Sequence, residues 1–196
     1  MFDPLPPETV ALRTLLADLH DDLEGRVERL RLLLALEFDF GSGRRLMLPG
    51  GTPAFTAYVE TRQAFVFGNF LSVILLSQCV LENALAAHLG LEAIATEVRG
   101  GPTSSQKPRP GFRETVAACR ASGLIDDADE RDLWRLSDLR NALAHFRTVN
   151  DPSHIDRRAI AQRRSATVLC EDDGRFAISL FVRILAKPAF RLDERA

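Results

Sequence analysis

The sequence predicts an all-α protein, and three observations carry that prediction. Apolar residues recur at steps of three and four through most of the 196-residue chain, which is the period of helices that bury one face. No stretch reads as a convincing strand, and no internal repeat interrupts the pattern. Glycine- and proline-rich stretches at 39–53 and 99–111 cut the chain into helix-length pieces. With 46% hydrophobic and 27% charged residues the composition is globular and not disordered. A chain of this length buries a core without disulfide staples.

Pro6 and Pro7 open the first helical pattern, as proline suits a first turn. Leu12, Leu15, Leu16, Leu19, Leu23, Val27, Leu30 and Leu34 follow at helical steps, which predicts one long amphipathic helix over about 8–37. DFGSGRRLMLPGGTP, 39–53, is a loop. A second helix is expected over about 54–89, closed by Gly90 as C-cap, with a short helix over 91–99. After the RGGPTSSQKPRPG loop, a third helix of about 112–122 carries Phe112, Val116, Ala117 and Cys119 and stops before Gly123. Asp127 and Glu130 have capping-box spacing and start a fourth helix, which runs through Trp134, Leu136, Leu139 and Leu143 to about Phe146. DDADE is not a calcium loop, since it lacks the glycine and the distal glutamate. TVNDPS, 148–153, is a turn, and a short basic helix of about 154–164 follows. EDDG reads as another turn, and FAISLFVRILA, 176–186, as a buried helix. The whole divides into an N-terminal helical arm and loop, 1–50, and a helical bundle, 51–190.

The net charge of −2 excludes a molecule-wide attraction to nucleic acid, so any such role must come from local clustering. Of the 25 basic residues 23 are arginine; this fits phosphate binding and equally an arginine-rich genome. Cys79, Cys119 and Cys170 lack metal-ligand spacing and read as buried, reduced thiols. No metal-ligand cluster is visible, and no cofactor is expected. MFDPLPPETV has neither the basic start nor the apolar core of a secretory signal, which points to the cytoplasm. The apolar segment 64–90 is interrupted by Asn69, Ser72, Ser77, Gln78, Glu82 and Asn83. It therefore reads as the centre of a bundle and not as a membrane span.

The candidate site lies in LRNALAHF, 139–146. On an ideal helix Leu136, Leu139, Leu143 and Phe146 share a sector of about 80°, which must face the core. Asp138, Asn141 and His145 form a second stripe, roughly 145° away, with Arg140 on the flank between. Arg140 and His145 are about 140° apart and do not converge on one ligand within a straight helix. A distorted helix end would bring them together. So would a two-fold dimer, which supplies a second copy of the stripe.

In RNALAH, Arg140 is followed by Asn141 and, after four intervening residues, by His145. This resembles the signature of the HEPN superfamily, and residues of about 64–147 share its context of an apolar helix followed by a late helix ending in the motif. The resemblance implies a HEPN-like helical bundle, to which the long N-terminal helix is an addition outside the matched span. It implies a metal-independent endoribonuclease acting as a homodimer, of the kind that serves as toxin or defence effector, with RNA as substrate and a cognate antitoxin protein as partner. His145 would be the general acid/base, Arg140 the phosphate clamp and Asn141 a positioning hydrogen-bonder. The nucleophile would be the RNA's own 2′-hydroxyl.

Supporting roles fall to Asp138, which otherwise simply pairs with a helical neighbour, and to Glu82. A carboxylate in so apolar a helix needs a partner. That partner is Arg140, which it would orient, or another arginine for structural reasons. Between 131 and 165 eight arginines face four aspartates. Of these, Arg147, Arg157, Arg158, Arg163 and Arg164 either track an RNA backbone or form a solvated basic face. His154, in a turn, is a further acid/base candidate. Two readings compete with the nuclease: a non-catalytic HEPN-like regulatory or binding module resembling mannitol-operon repressors, and a helical protein whose polar stripe only sets dimer register.

Overall fold

The computed structural model describes residues 7–38, 45, 46, 48, 50–98 and 111–192. Among them the protein is all-α: α1 (Pro7–Asp21), α2 (Leu23–Glu37), α3 (Gly51–Val66), α4 (Phe70–Val98), α5 (Phe112–Ala121), α6 (Asp127–Ala144), α7 (Ile155–Gln162) and α8 (Ala166–Leu185). A two-residue antiparallel pairing of β1 (Arg45–Leu46) with β2 (Arg191–Leu192) is the one extended contact among the described residues.

The most apolar helix is the central one. Val73, Ile74, Val80, Leu81, Ala84 and Leu85 of α4 are buried. They join Phe65 of α3, Leu133 and Leu136 of α6 and Ala177, Ile178, Phe181, Ile184 and Leu185 of α8 in one cluster. Phe70–Leu91 is long and apolar enough to cross a membrane on length and composition alone, and a bundle's core helix meets the same description. α8 comes close to α4 at Gly174, where an added Cβ would lie 2.6 Å from Phe70 Cδ1 and 2.8 Å from Phe70 Cβ. A Gly174→Ala change would gain about 1 kcal/mol of helix propensity, but the clash includes the base of the Phe70 side chain, which cannot swing away, so overpacking outweighs it.

Several expected elements are divided or extended. The expected helix over 8–37 is two helices. Asp22 leaves the helical conformation (φ −95°, ψ 7°), and its carboxylate clasps Arg26 at 3.2 Å and Arg29 at 2.6 Å. Arg29 is buried and also donates to the Val66 carbonyl at 3.0 Å. The face that α2 buries is Arg29 and Leu33, so Leu23, Val27, Leu30 and Leu34 stay exposed, as do Leu12, Leu15 and Leu16 of α1. The helix expected over 54–89 is also two. Gly68 (φ 76°) ends α3 with a Schellman pair of bonds, Asn69 N–H to Ala64 O and Gly68 N–H to Phe65 O. At the other end α4 does not stop at Gly90 but continues to Val98.

EDDG is not a turn but part of α8, which begins ten residues earlier than the apolar run. Ion pairs hold that polar half: Glu171 with Arg175, Asp172 with Arg164, and Asp173 with Arg158. Of the cysteines only Cys119 is buried; Cys79 is exposed and Cys170 intermediate.

Candidate functional site

A capping box starts α6, one residue earlier than expected. The Asp126 side chain accepts from the Ala128 and Asp129 amides, and Asp129 returns a bond to the Asp126 amide. These bonds hold the Asp126 carboxyl below the usual carboxylate range, the Asp129 amide contributing most. Asp129 is buried and paired with Arg183 at 3.0 Å and Lys187 at 2.6 Å, which ties the start of α6 to α8 and its end.

From this anchor the buried side of α6 runs through Asp129, Leu133, Leu136 and Ser137. Arg140, three and four residues further on from Ser137 and Leu136, continues that stripe; it is not on a flank. The axis of the buried side is displaced about 85° from the leucine stripe on an ideal helix. Leu139 and Leu143 therefore pack only at the edge of the core. Phe146, expected in the core, is 94% exposed. The helix has already ended at Ala144, and His145 is extended (φ −117°, ψ 140°).

Where Arg140 emerges, α6 faces α4 across a groove. One part, of about 460 Å³, is lined by Leu75, Gln78, Cys79, Glu82, Asn83, Arg140 and Ala144. A second, of about 540 Å³, reaches the start of α5 through Phe112 and Arg113 and also has Ser137 and Asn141 in its wall. Gln78, Glu82 and Arg140 belong to both, so they stand where the parts meet. Arg140 is half-buried, and its Nη1 donates to Asn141 Oδ1 at 3.1 Å. Among the described residues neither Arg140 nor Glu82 has an ion-pair partner within 4.0 Å. Glu82 shares the groove with Arg140 without being clasped by it.

The rest of the expected set is dispersed. Asp138 pairs with Arg113 of α5 at 3.3 Å, with both side chains exposed. His145 is exposed and lines neither part of the groove. His154 caps α7, its Nδ1 accepting from the Asp156 amide at 3.3 Å. Arg158 donates to both oxygens of buried Asp173, at 2.7 and 3.1 Å. Arg164 pairs with Asp172 at 2.6 Å and Arg147 with Asp151 at 3.5 Å. Arg157 and Arg163 are exposed and have no acidic partner among the described residues. Arg163 adopts the left-handed conformation (φ 52°) that ends α7.

Gln78 is the groove residue that helical periodicity does not single out. Its signal in the sequence is weak: a polar side chain one turn before Glu82 in an otherwise apolar helix. Among the described residues no three His, Cys, Asp or Glu side chains stand close enough to share a metal ion. Comparison of the chain with family models, with curated proteins and with solved structures finds no match.

Proposed function

We propose that this chain is a cytoplasmic, homodimeric endoribonuclease of HEPN type, with an antitoxin protein as its controlling partner. It cleaves RNA by attack of a 2′-hydroxyl on the adjacent phosphate, leaving 2′,3′-cyclic phosphate and 5′-hydroxyl ends. The observation that carries this reading is Arg140, a half-buried guanidinium in a groove, bound to Asn141 and to no carboxylate among the described residues. A cation positioned by packing but not neutralised suits an anion from outside, and its planar donors match a phosphate. It would stabilise the charge that spreads onto the phosphate oxygens in the transition state. His145 would take the 2′-hydroxyl proton or return one to the departing 5′-oxygen.

Because His145 lies outside its own protomer's groove, the complete site takes Arg140 from one copy and His145 from the other. Support for a second copy comes from Leu75, an exposed apolar side chain in the groove wall, with Leu71 one turn before it on α4 and Phe146 two residues beyond the groove residue Ala144 also exposed. Large exposed apolar side chains suit an interaction surface between copies.

The test is RNA cleavage in EDTA. Arg140→Ala should lower the rate by about 10²–10³-fold and His145→Ala by about 10²–10⁴-fold, with unchanged circular dichroism. Mixing the two inactive variants should restore activity, since a mixed dimer rebuilds one intact site. Cleavage at the wild-type rate by both variants refutes the assignment, and failure of the mixture to recover places both groups in one protomer. The second reading, a non-catalytic regulatory or binding module, is favoured by the exposed position of His145. It predicts tight RNA or protein binding with no cleavage between about pH 5 and 9.

A further inference from the structure

Gln78 is 5% exposed and lines both parts of the groove, yet its Oε1 is closed off from solvent and has no hydrogen-bond partner among the described residues. An orphaned buried acceptor destabilises a fold. A methionine would fill the same volume of this apolar helix without that cost. Something other than packing therefore accounts for a carboxamide here. Its terminal torsion is broad and two-fold, so a half-turn exchanges oxygen and amide nitrogen at nearly the same place. With that half-turn the oxygen takes the amide nitrogen's place, on the α4 face that also carries Glu82 one turn further on, and the amide N–H group takes the closed-off one.

In that rotamer the groove offers two neighbouring acceptors, Gln78 Oε1 and the Glu82 carboxylate, beside one cation, Arg140. Its complement is an anion next to two adjacent hydrogen-bond donors. Among the RNA bases only guanine has two adjacent donors on its Watson–Crick edge, the N1–H and the N2 amine. Adenine and cytosine place a ring acceptor beside their amine, which would face an acceptor here. Uracil has one N–H flanked by carbonyls. An unpaired base in single-stranded RNA exposes that edge to side chains.

We propose that Gln78 is a specificity-determining residue. With Glu82 it selects an unpaired guanine adjoining the phosphate that Arg140 holds, Glu82 accepting from N1–H and Gln78 from the N2 amine. The inference takes its ligand class from the ribonuclease reading, but it concerns binding and does not require cleavage.

The probes are short single-stranded 2′-fluoro oligouridines carrying one guanosine, adenosine, cytidine or inosine, followed by fluorescence anisotropy. The 2′-fluoro group removes both the nucleophile and the ribose hydroxyl as a competing donor, and inosine differs from guanosine only in lacking the N2 amine. The guanosine probe should bind about tenfold more tightly than the inosine probe. Gln78→Met should abolish that difference while leaving the inosine affinity unchanged, and Gln78→Leu should do the same. Equal weakening of every probe by both variants, or a guanosine preference that survives them, overturns the proposal, as does failure of the wild type to bind any probe. Cleavage of ordinary RNA is scored separately. Cleavage with a base preference indifferent to Gln78 defeats this inference and leaves the ribonuclease standing. Gln78-dependent guanosine binding without cleavage does the reverse.

Discussion

Asp173 is the perturbation that best separates a structural arginine from an RNA-binding one. It is 3% exposed in the middle of α8. Arg158 donates to both its oxygens, at 2.7 and 3.1 Å, and Arg135 approaches to 3.8 Å. Removing one member of a buried pair costs about 3–5 kcal/mol, because the other is left uncompensated. Here both arginines are partly exposed and can rehydrate, and Arg135 keeps its position over the Phe176 ring at 3.9 Å. The lower end therefore applies, about 3 kcal/mol for Asp173→Ala. At about 2–4 °C per kcal/mol for a chain of this size, Tm should fall by about 6–12 °C. Thermal and urea denaturation of Asp173→Ala, Arg158→Ala and the double variant close a cycle with a coupling energy of about 2 kcal/mol. A coupling below about 0.5 kcal/mol would mean the pair is not formed in solution and would return Arg158 to the candidates for phosphate contact.

Tyr58 is the only tyrosine, and burial, followed by the charge of Glu37, pushes its hydroxyl up to about 12. Its contribution to stability is therefore complete below about pH 10, the unfolded value, and is lost as pH rises through the folded value. Tyrosinate absorbance from the folded protein near pH 10 would contradict this. Ser77 has a fully buried hydroxyl with no partner among the described residues, so Ser77→Ala should raise stability by about 1 kcal/mol in urea, and a fall would show that the hydroxyl is satisfied. Arg163→Gly relieves the left-handed strain at φ 52° and should stabilise by about 0.5–1 kcal/mol while weakening RNA binding. Loss of both stability and binding would show that the side chain holds α7 in place.

The helical class was legible because burial of one face imposes its period on the sequence, and that period survives without knowledge of the partners. Boundaries depend on contacts that no local pattern records. DDADE satisfies the capping spacing in two consecutive registers, Asp126 with Asp129 and Asp127 with Glu130. The outcome follows burial: Asp129 is held in the interior by Arg183 and Lys187. EDDG resembles a turn, yet its carboxylates are matched by arginines on α7, after it and within α8 itself. The motif of α6 was visible, but its rotation was not. Counting leucines put Phe146 inside and Arg140 aside, whereas the buried stripe leads to Arg140 and the helix stops before Phe146. The orphaned acceptor of Gln78 exists only in the folded chain, where α5 and α6 complete the groove that α4 lines.

Charge pairing also bounds the electrostatics of RNA binding. Of the eight arginines between 131 and 165, Arg135, Arg147, Arg158 and Arg164 have an acidic partner. Arg131, Arg140, Arg157 and Arg163 have none among the described residues. A paired guanidinium must give up its carboxylate before it releases a counterion from RNA, so only the second group contributes fully. Each phosphate neutralised on a single strand gives a slope of about −0.7 in log K against log salt, so four contacts predict about −2.8 and eight about −5.6. Anisotropy titrations of a 2′-fluoro RNA at several salt concentrations decide between them. With the shallower slope, Arg157→Ala should reduce its magnitude by about 0.7 and Arg158→Ala should leave it unchanged. A slope steeper than about −5 would mean that RNA breaks the Asp173 and Asp172 pairs on binding, and that α7 and α8 are rearranged in the complex.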